Sequence, residues 1–439
     1  MTLFADLFCM FDLFYLRSPT EAAELLGYSS HADFILDNRM AKSSANVINF
    51  QNEIAEKLQP LKEKEMKIWL ELKKKEKESL NEAFDNQIHS YDWSYYHRVN
   101  KEINYQVNEA EIKNYFPLEV VLEGVLRIYE EILSLSFKEI KPEVWHESVR
   151  IYQVYDATGE YLGECYLDLF PRLGKFGHGA VFPLRMRHEF PDGRILYPAI
   201  AMLANFTKPT ENTPSLMQWN EVVTFFHEFG HLTHEVCTKS PYYLFSGIKV
   251  ETDFLEAPSQ MLENWCYKPE ALNRLSGHFL DHSKKLPPEH FEKIVKAKNA
   301  DVGLLTSRQI ALGMFDQKLH SFSGDTVDVA ATFAWAFEHY TGVSPPDNTN
   351  YGSGFGHMMG GPGGGYDSQY YSYLYSKVFS CDMFSLFETE SIFSKRLGKL
   401  YRDLILSPGG TKDSLHSLRE FLGREPSSAA FLASLGLDH

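Results

Sequence analysis

The sequence predicts a mainly α-helical chain of two or three lobes, with one small β-sheet ahead of its most distinctive motif. Three observations point there. A chain of 439 residues holds more than one core, at roughly one domain per 150 residues. Apolar residues recur at helical spacing over most of its length. Strand-like runs bounded by turn residues gather between Val149 and Phe206. With 44% hydrophobic and 23% charged residues, the composition is that of an ordinary globular protein. It excludes a mainly disordered, collagen-like or disulfide-framework chain.

Residues Thr2–Leu16 read TLFADLFCMFDLFYL. Asp6 and Asp12 break the run, no arginine precedes Arg17, and no small-residue cleavage site follows. This argues against a signal peptide or a mitochondrial presequence, and the run is too short and acidic for a membrane span. Leu3, Leu7, Phe11 and Phe14 fall at helical spacing and predict an amphipathic helix packed on the body. Ser18-Pro-Thr-Glu reads as a helix start. Lys42–Leu80 is helical in period with an interruption at Pro60, and its charged end, LKKKEKES, reads as a solvated face. Pro117 opens a helix with Val120, Val121, Leu126, Tyr129, Ile132 and Leu133 on one side. Ile151–Tyr155 and Tyr161–Leu167 flank Asp156-Ala-Thr-Gly159 as a hairpin, and Ala180–Leu184 and Tyr197–Phe206 are further strand candidates. Helices resume from Trp219, and residues 343–366 form a long loop. No linker separates the halves, so the lobes are expected to share a core. The chain divides on this reading into 1–24, a Phe-rich segment, 25–115, which is helical, and 116–439, which carries the motifs.

Acidic residues number 59 against 43 basic ones, a net charge of −16. That excess argues against a nucleic-acid or anionic-membrane partner. The five cysteines (Cys9, Cys165, Cys237, Cys266, Cys381) are odd in number and form no CxxC pair. They read as free thiols of a reducing compartment and imply no cysteine metal site.

The stretch Trp219-Asn-Glu-Val-Val-Thr-Phe-Phe-His-Glu-Phe-Gly-His-Leu-Thr-His-Glu contains His227-Glu228-x-x-His231. On a helix, i and i+4 lie about 6 Å apart along the axis and on one face. Two imidazoles so placed can converge on a zinc ion, and Glu228 can take the proton of a water held there. Val222, Val223, Phe226, Phe229 and Leu232 supply apolar contacts for a buried helix, and Gly230 allows close packing or access on the metal side. With 17 histidines and at most 59 acidic residues in the chain, chance alone gives about 0.1 such motifs. The motif by itself is suggestive, since a pair of surface or capping histidines gives the same pattern.

Catalytic zinc keeps three protein ligands and one open position. His234 is the nearest third candidate. Three ligands on one helix, however, would stretch over about 10 Å of axis, which is hard to close with bonds of about 2 Å. A second helix serves better, and residues 250–265 offer Glu251, Asp253, Glu256 and Glu263. Geometry does not choose among them.

HEFGH at 227–231, FSG at 245–247 and DFLEAPSQMLENW at 253–265 together resemble the thimet oligopeptidase and neurolysin family of zinc endopeptidases. A second signature follows: Phe355-Gly-His357, a glycine cluster, then Tyr366-Asp-Ser-Gln-Tyr370-Tyr371-Ser-Tyr373-Leu. It resembles the family's FGH…GGYDxQYYxYL. The likeness runs from about residue 20 to the C-terminus and includes YLDLFPR at 166–172 and ANFTKP at 204–209.

The resemblance implies one zinc ion per chain, with His227, His231 and Glu256 as ligands and Glu228 as general base. His234 is the runner-up third ligand and otherwise stands behind the ligands. Glu263, seven residues past Glu256, is a candidate to orient a ligand histidine, and a plain buried polar contact is an equal reading. The glycines imply a lid. Tyr366 and Tyr373, with His357, are implied to face the scissile peptide and donate to its oxyanion, and Tyr370 to contact substrate. The implied fold is a two-lobed, mainly α-helical zincin with a deep channel and a small β-sheet near the cleft, whose edge takes substrate backbone as an added strand. Residues 25–115 would then belong to the distal lobe and 116–439 to the catalytic lobe.

Three departures stand out. The chain lacks most of the family's long N-terminal helical region. The glycine loop HMMGGPGGGY is longer than the family spacing, with Pro362 inserted, and Thr252 stands where some members carry arginine. The expected activity is zinc-dependent hydrolysis of internal bonds in short peptides by a cytoplasmic monomer, with a zinc-bound water activated by Glu228. The alternative is an inactive remnant that binds zinc or peptide. Nothing in the sequence marks a pocket for a free peptide terminus, so an exopeptidase ranks low.

Overall fold

The computed structural model describes residues 19–322, 327–346, 349–359 and 365–437. The amphipathic helix expected around Leu3–Phe14 and residues 360–364 of the expected lid, with Pro362 among them, lie outside the described residues. The chain is mainly helical, with a small mixed sheet, and it divides into two compact units. One gathers the residues up to Gln106, Lys296–Tyr375 and those from Leu432. The other comprises Val107–Val295 and Ser376–Phe431.

The first unit is built on the helix Ser44–Ser79, capped by Ser43 and packed along Val302–His320. It is one continuous helix of 36 residues, so the expected interruption at Pro60 does not occur. Pro60 lies on the exposed side, where water can satisfy the carbonyl that a missing N–H leaves free. The charged run at its end is mostly solvated, with one exception. Lys73 is buried and bonds Asp85 (3.1 Å) and Asp92 (3.0 Å). Trp69, Leu72, Trp93, Tyr96 and Leu304 form one core cluster, and Ala32, Leu36, Val47 and Tyr371 another. The expected loop 343–366 contains a short helix, Gly356–Met359.

The second unit holds the sheet. Its strands are β1 (Leu135–Ile140), β2 (Arg150–Asp156), β3 (Tyr161–Asp168), β4 (Ala180–Arg185), β5 (His188–Glu189), β6 (Ile195–Leu196) and β7 (Ala199–Leu203). The order β1-β2-β3-β7-β4 makes a five-stranded sheet in which only β3 and β7 run parallel, and β5 and β6 pair separately. The β2–β3 hairpin turns at Asp156–Glu160, where Asp156 Oδ1 accepts from Thr158 N (2.8 Å) and Glu160 N (3.1 Å). The helix Leu118–Leu133 buries Val121, Leu122, Val125, Ile128, Tyr129 and Ile132. The motif helix, Trp219–Cys237, packs against β3, β4 and β7. Phe229 meets Tyr129 and Phe137 at ring distances of 4.8 and 5.5 Å, and the Tyr129 hydroxyl donates to Phe226 O at 2.7 Å. These contacts fix the motif helix in both rotation and height.

Candidate functional site

His227 and His231 project from the motif helix, and Glu256 from the helix Thr252–Leu262 packed beside it. His231 Nε2 lies 3.2 Å from His227 Nε2, and Glu256 Oε2 lies 3.2 Å from each imidazole nitrogen. Three donors on a triangle of that edge suit a tetrahedral ion, whose ligand–ligand edge is about 3.3 Å for bonds of about 2.0 Å. Among the described residues this is the one His/Cys/Asp/Glu group able to hold a metal ion. The donor set, two imidazoles and a carboxylate, suits zinc.

The close approach of the two helices rests on Gly230. A β-carbon there would stand 2.8 Å from Ser259 Cα. Close packing is therefore its part. Ser259 in turn donates its hydroxyl to Glu256 Oε2 at 3.1 Å.

Behind His227 stands Glu263, with Oε1 2.9 Å from Nδ1. Lys377 lies 3.2 Å from the other oxygen. Burial would raise the Glu263 pKa, but Lys377 and His227 hold it at about 2. An ionised carboxylate only accepts, so His227 Nδ1–H donates, and its Nε2 lone pair is left for the metal group. Burial likewise works against ionised Glu256, which the two imidazoles hold well below the usual carboxylate range. Glu228 lies next to the ligands and is 8% exposed. Burial raises its pKa while His227 and His231 oppose the rise. A β-carbon at Gly179, just before β4, would come within 3.1 Å of Glu228 Oε1, so glycine there keeps the carboxylate's front clear.

His234 lies outside the donor group. It is fully buried, and neither ring nitrogen has a hydrogen-bond partner. Burial, with His231, pushes its pKa down to about 3. The remaining acidic candidates are engaged elsewhere: Glu251 Oε1 accepts from Ser414 N at 3.3 Å, and Asp253 is buried at the start of its helix.

In the first unit the expected tyrosines do gather. His357 stacks on Tyr366 (4.9 Å), Tyr366 on Tyr373 (5.3 Å), and Tyr370 lies 5.5 Å from Tyr373. His357 Nε2 is 2.8 Å from the Tyr373 hydroxyl. The Tyr370 hydroxyl donates to Gln309 Oε1 at 3.1 Å. The turn that carries them is held by groups with no local sequence signal. Asp316 accepts from Ser368 N (2.8 Å) and Tyr370 N (2.9 Å), and His320 Nδ1–H donates to its carboxylate at 2.8 Å. Gln317 donates to Ser368 O (2.7 Å), and Arg39 to Gln369 Oε1 (2.5 Å). His31 Nε2 pairs with Asp367 at 2.6 Å. Ser368 sits at φ +62°, a strained conformation that this clamp sustains.

A model of peptidase family M3 matches residues 10–437. The chain belongs to peptidase family M3. Among its relatives are the thimet-like oligopeptidase of Dictyostelium discoideum and the saccharolysin of Saccharomyces cerevisiae. The first is 43% identical over 427 residues, 95% of this chain and 63% of the relative. The second is 36% identical over 435 residues, 97% of this chain and 60% of the relative. The chain thus spans about three fifths of the length of these M3 relatives. A solved structure of PZ peptidase A with an inhibitor shares the fold at TM-score 0.59 and 14% identity, over 98% of this chain and 64% of that one. Among the described residues no helix is long and apolar enough to cross a membrane.

Proposed function

We propose that the chain is a zinc-dependent endopeptidase that hydrolyses internal bonds of short peptides, acting as a monomer in the cytoplasm. The observation that carries this reading is the 3.2 Å triangle of His227, His231 and Glu256 with Glu228 beside it. One zinc ion, when bound, supplies a Lewis acid for a carbonyl oxygen and makes water acidic near neutral pH. Glu228 accepts a proton from the attacking water on its carboxylate oxygen. It then passes a proton to the leaving amine nitrogen as the C–N bond breaks. Its burial favours the role, because a raised pKa brings the carboxylate toward the working pH. Glu263 fixes the tautomer of His227, and Lys377 keeps Glu263 ionised. On the family pattern, Tyr366 and Tyr373, with His357, are assigned to the oxyanion and Tyr370 to substrate backbone.

The test is cleavage of an internally quenched peptide of about ten residues, beside Glu228→Gln, with zinc content measured on both proteins. The reading expects one zinc per chain in both and a loss of about 10²–10⁴ in rate for the variant. Equal cleavage by both proteins overturns the assignment of Glu228. Zinc in both with cleavage by neither identifies a binding chain without turnover.

A further inference from the structure

The first unit contains a cavity of about 680 Å³, within the size range of small-ligand sites. Trp93, Phe333, Phe337 and Tyr351 give it aromatic walls, and Pro345 and Pro346 continue its apolar lining. Among the described residues, Arg308 is its one permanently charged lining group. Arg308 and His97 line it, and no carboxylate does among the described residues. In a chain with 59 acidic residues against 43 basic ones, a set of described lining residues without an acid departs from the chain's general balance.

The two basic residues differ. His97 Nδ1 lies 2.8 Å from Asp301 Oδ2, and Asn100 donates to the other oxygen at 2.7 Å. Asp301 therefore compensates any charge on His97. Arg308 is half-buried and has no hydrogen bond or ion pair to another described residue. One uncompensated guanidinium balances one negative charge, and its planar fork matches a carboxylate. The aromatic walls match an apolar body beside that carboxylate.

The cavity also adjoins the tyrosine turn. Gln309, next to Arg308 in sequence, holds the Tyr370 hydroxyl, and Tyr351 meets Phe333 at 5.1 Å. Burial raises the Tyr370 pKa, and the charge of Arg308 opposes the rise.

We propose that this cavity binds a carboxylate borne on a bulky apolar or aromatic body, with Arg308 as the anion-binding residue. Two sources share that chemistry: a small aromatic or N-blocked amino acid, and the last residue of a peptide with a free C-terminus. The second source rests on the peptidase reading above. The binding itself does not.

Calorimetric titration of the full chain with N-acetyl-L-phenylalanine, and with its uncharged amide, tests the proposal without turnover. The acid is expected to bind at least about tenfold tighter than the amide, the scale of one charge-assisted contact. Arg308→Gln is expected to erase that difference, Arg308→Lys to restore part of it, and Glu228→Gln to leave it intact. Equal binding of acid and amide by the wild-type chain, or no binding of the acid at 10 mM (about the weakest range that titration reads), overturns the proposal. The same holds if Arg308→Gln melts like the wild type and still prefers the acid. A second comparison separates the sources. Two quenched peptides differing only in a C-terminal acid or amide are cleaved at rates that differ several-fold if the peptide's end occupies the cavity, and Arg308→Gln removes the difference. Equal rates with acid binding retained assign the cavity to a small free acid. Acid binding with neither peptide cleaved upholds the cavity and fails the peptidase reading.

Discussion

The metal-ligand group and the tyrosine turn both present clustered side chains, but they are built by different means. His227, His231 and Glu256 project from two regular helices whose ligands lie within 30 residues, and each helix sets the spacing of its own ligands through its backbone period. Tyr366 and Tyr370, with Tyr373 following in the first turn of the next helix, hang from a turn at 366–370 that is irregular and includes Ser368 at φ +62°. This turn is gripped by residues as distant in sequence as His31, Arg39 and Asp316. Helical periodicity supplies order from within. A strained turn borrows it from charged and polar side chains far off in sequence, so its position depends on them.

The largest expected effect lies on the metal side. Glu256→Ala removes one corner of the donor triangle and is expected to weaken zinc binding by a factor of about 10³ or more, read as zinc content after dialysis against a weak chelator. The melting temperature measured without zinc should change little, because the helices do not depend on this side chain for packing. A large loss of stability would break the contrast. Next comes Asp316→Ala, which strips the acceptor from the buried Ser368 N–H, the part-buried Tyr370 N–H and His320. At about 2 kcal/mol for each unsatisfied N–H, about 4 kcal/mol of stability should be lost by denaturant titration, with zinc content unchanged. Loss of zinc as well would show that the two regions are not independently built.

The smallest effect sharpens the same point through pH. Glu65 is buried, and its Oε2 accepts from Leu304 N at 2.8 Å, at the start of the helix that also carries Asp316. Burial raises its pKa to about 7, although the Leu304 and Gly303 amides pull it down. A carboxyl whose folded pKa is raised contributes its stability in full below its unfolded value of about 4.5. That contribution is lost as pH rises toward and through 7. Glu65→Gln should flatten the stability profile between pH 5 and 8 by up to about 3 kcal/mol relative to wild type. An unchanged profile would place the pH sensitivity elsewhere.

The contrast also explains what could be read without coordinates. The His227/His231 pair and Glu228 were legible because an i, i+4 spacing on an apolar helix states its own geometry. Spacing alone left the third acidic corner open, and only the family resemblance pointed to Glu256. Four carboxylates lay within reach in sequence, and the packing around Gly230 and Ser259 separates Glu256 from Glu251, Asp253 and Glu263. The β2–β3 hairpin announced itself through Asp156-Ala-Thr-Gly159. Strand β1 did not, because its six residues follow directly on a helix, and the parallel β3–β7 pairing joins strands that no local pattern links. Pro60 misled because a helix tolerates proline where its free carbonyl meets water. Asp316, His31, Lys377 and Arg308 left no trace at all. The first three act through partners far off in sequence, Arg308 lines a cavity without an ion-pair partner among the described residues, and a single charged residue in an otherwise ordinary helix carries no periodic signal.

Gly230 sits one residue before His231, where the motif helix touches the backbone of Ser259. The gap between the two helices is thus set by the thickness of a bare α-carbon. That gap in turn sets how far Glu256 stands from the two imidazoles. A methyl group at this one position would act as a shim. It would widen the donor triangle and move its preference from ions with bonds of about 2.0 Å toward larger oxygen-favouring cations with bonds of about 2.3 Å or more. The choice of ion is in this sense a choice of ionic radius, made by a residue that never touches the ion.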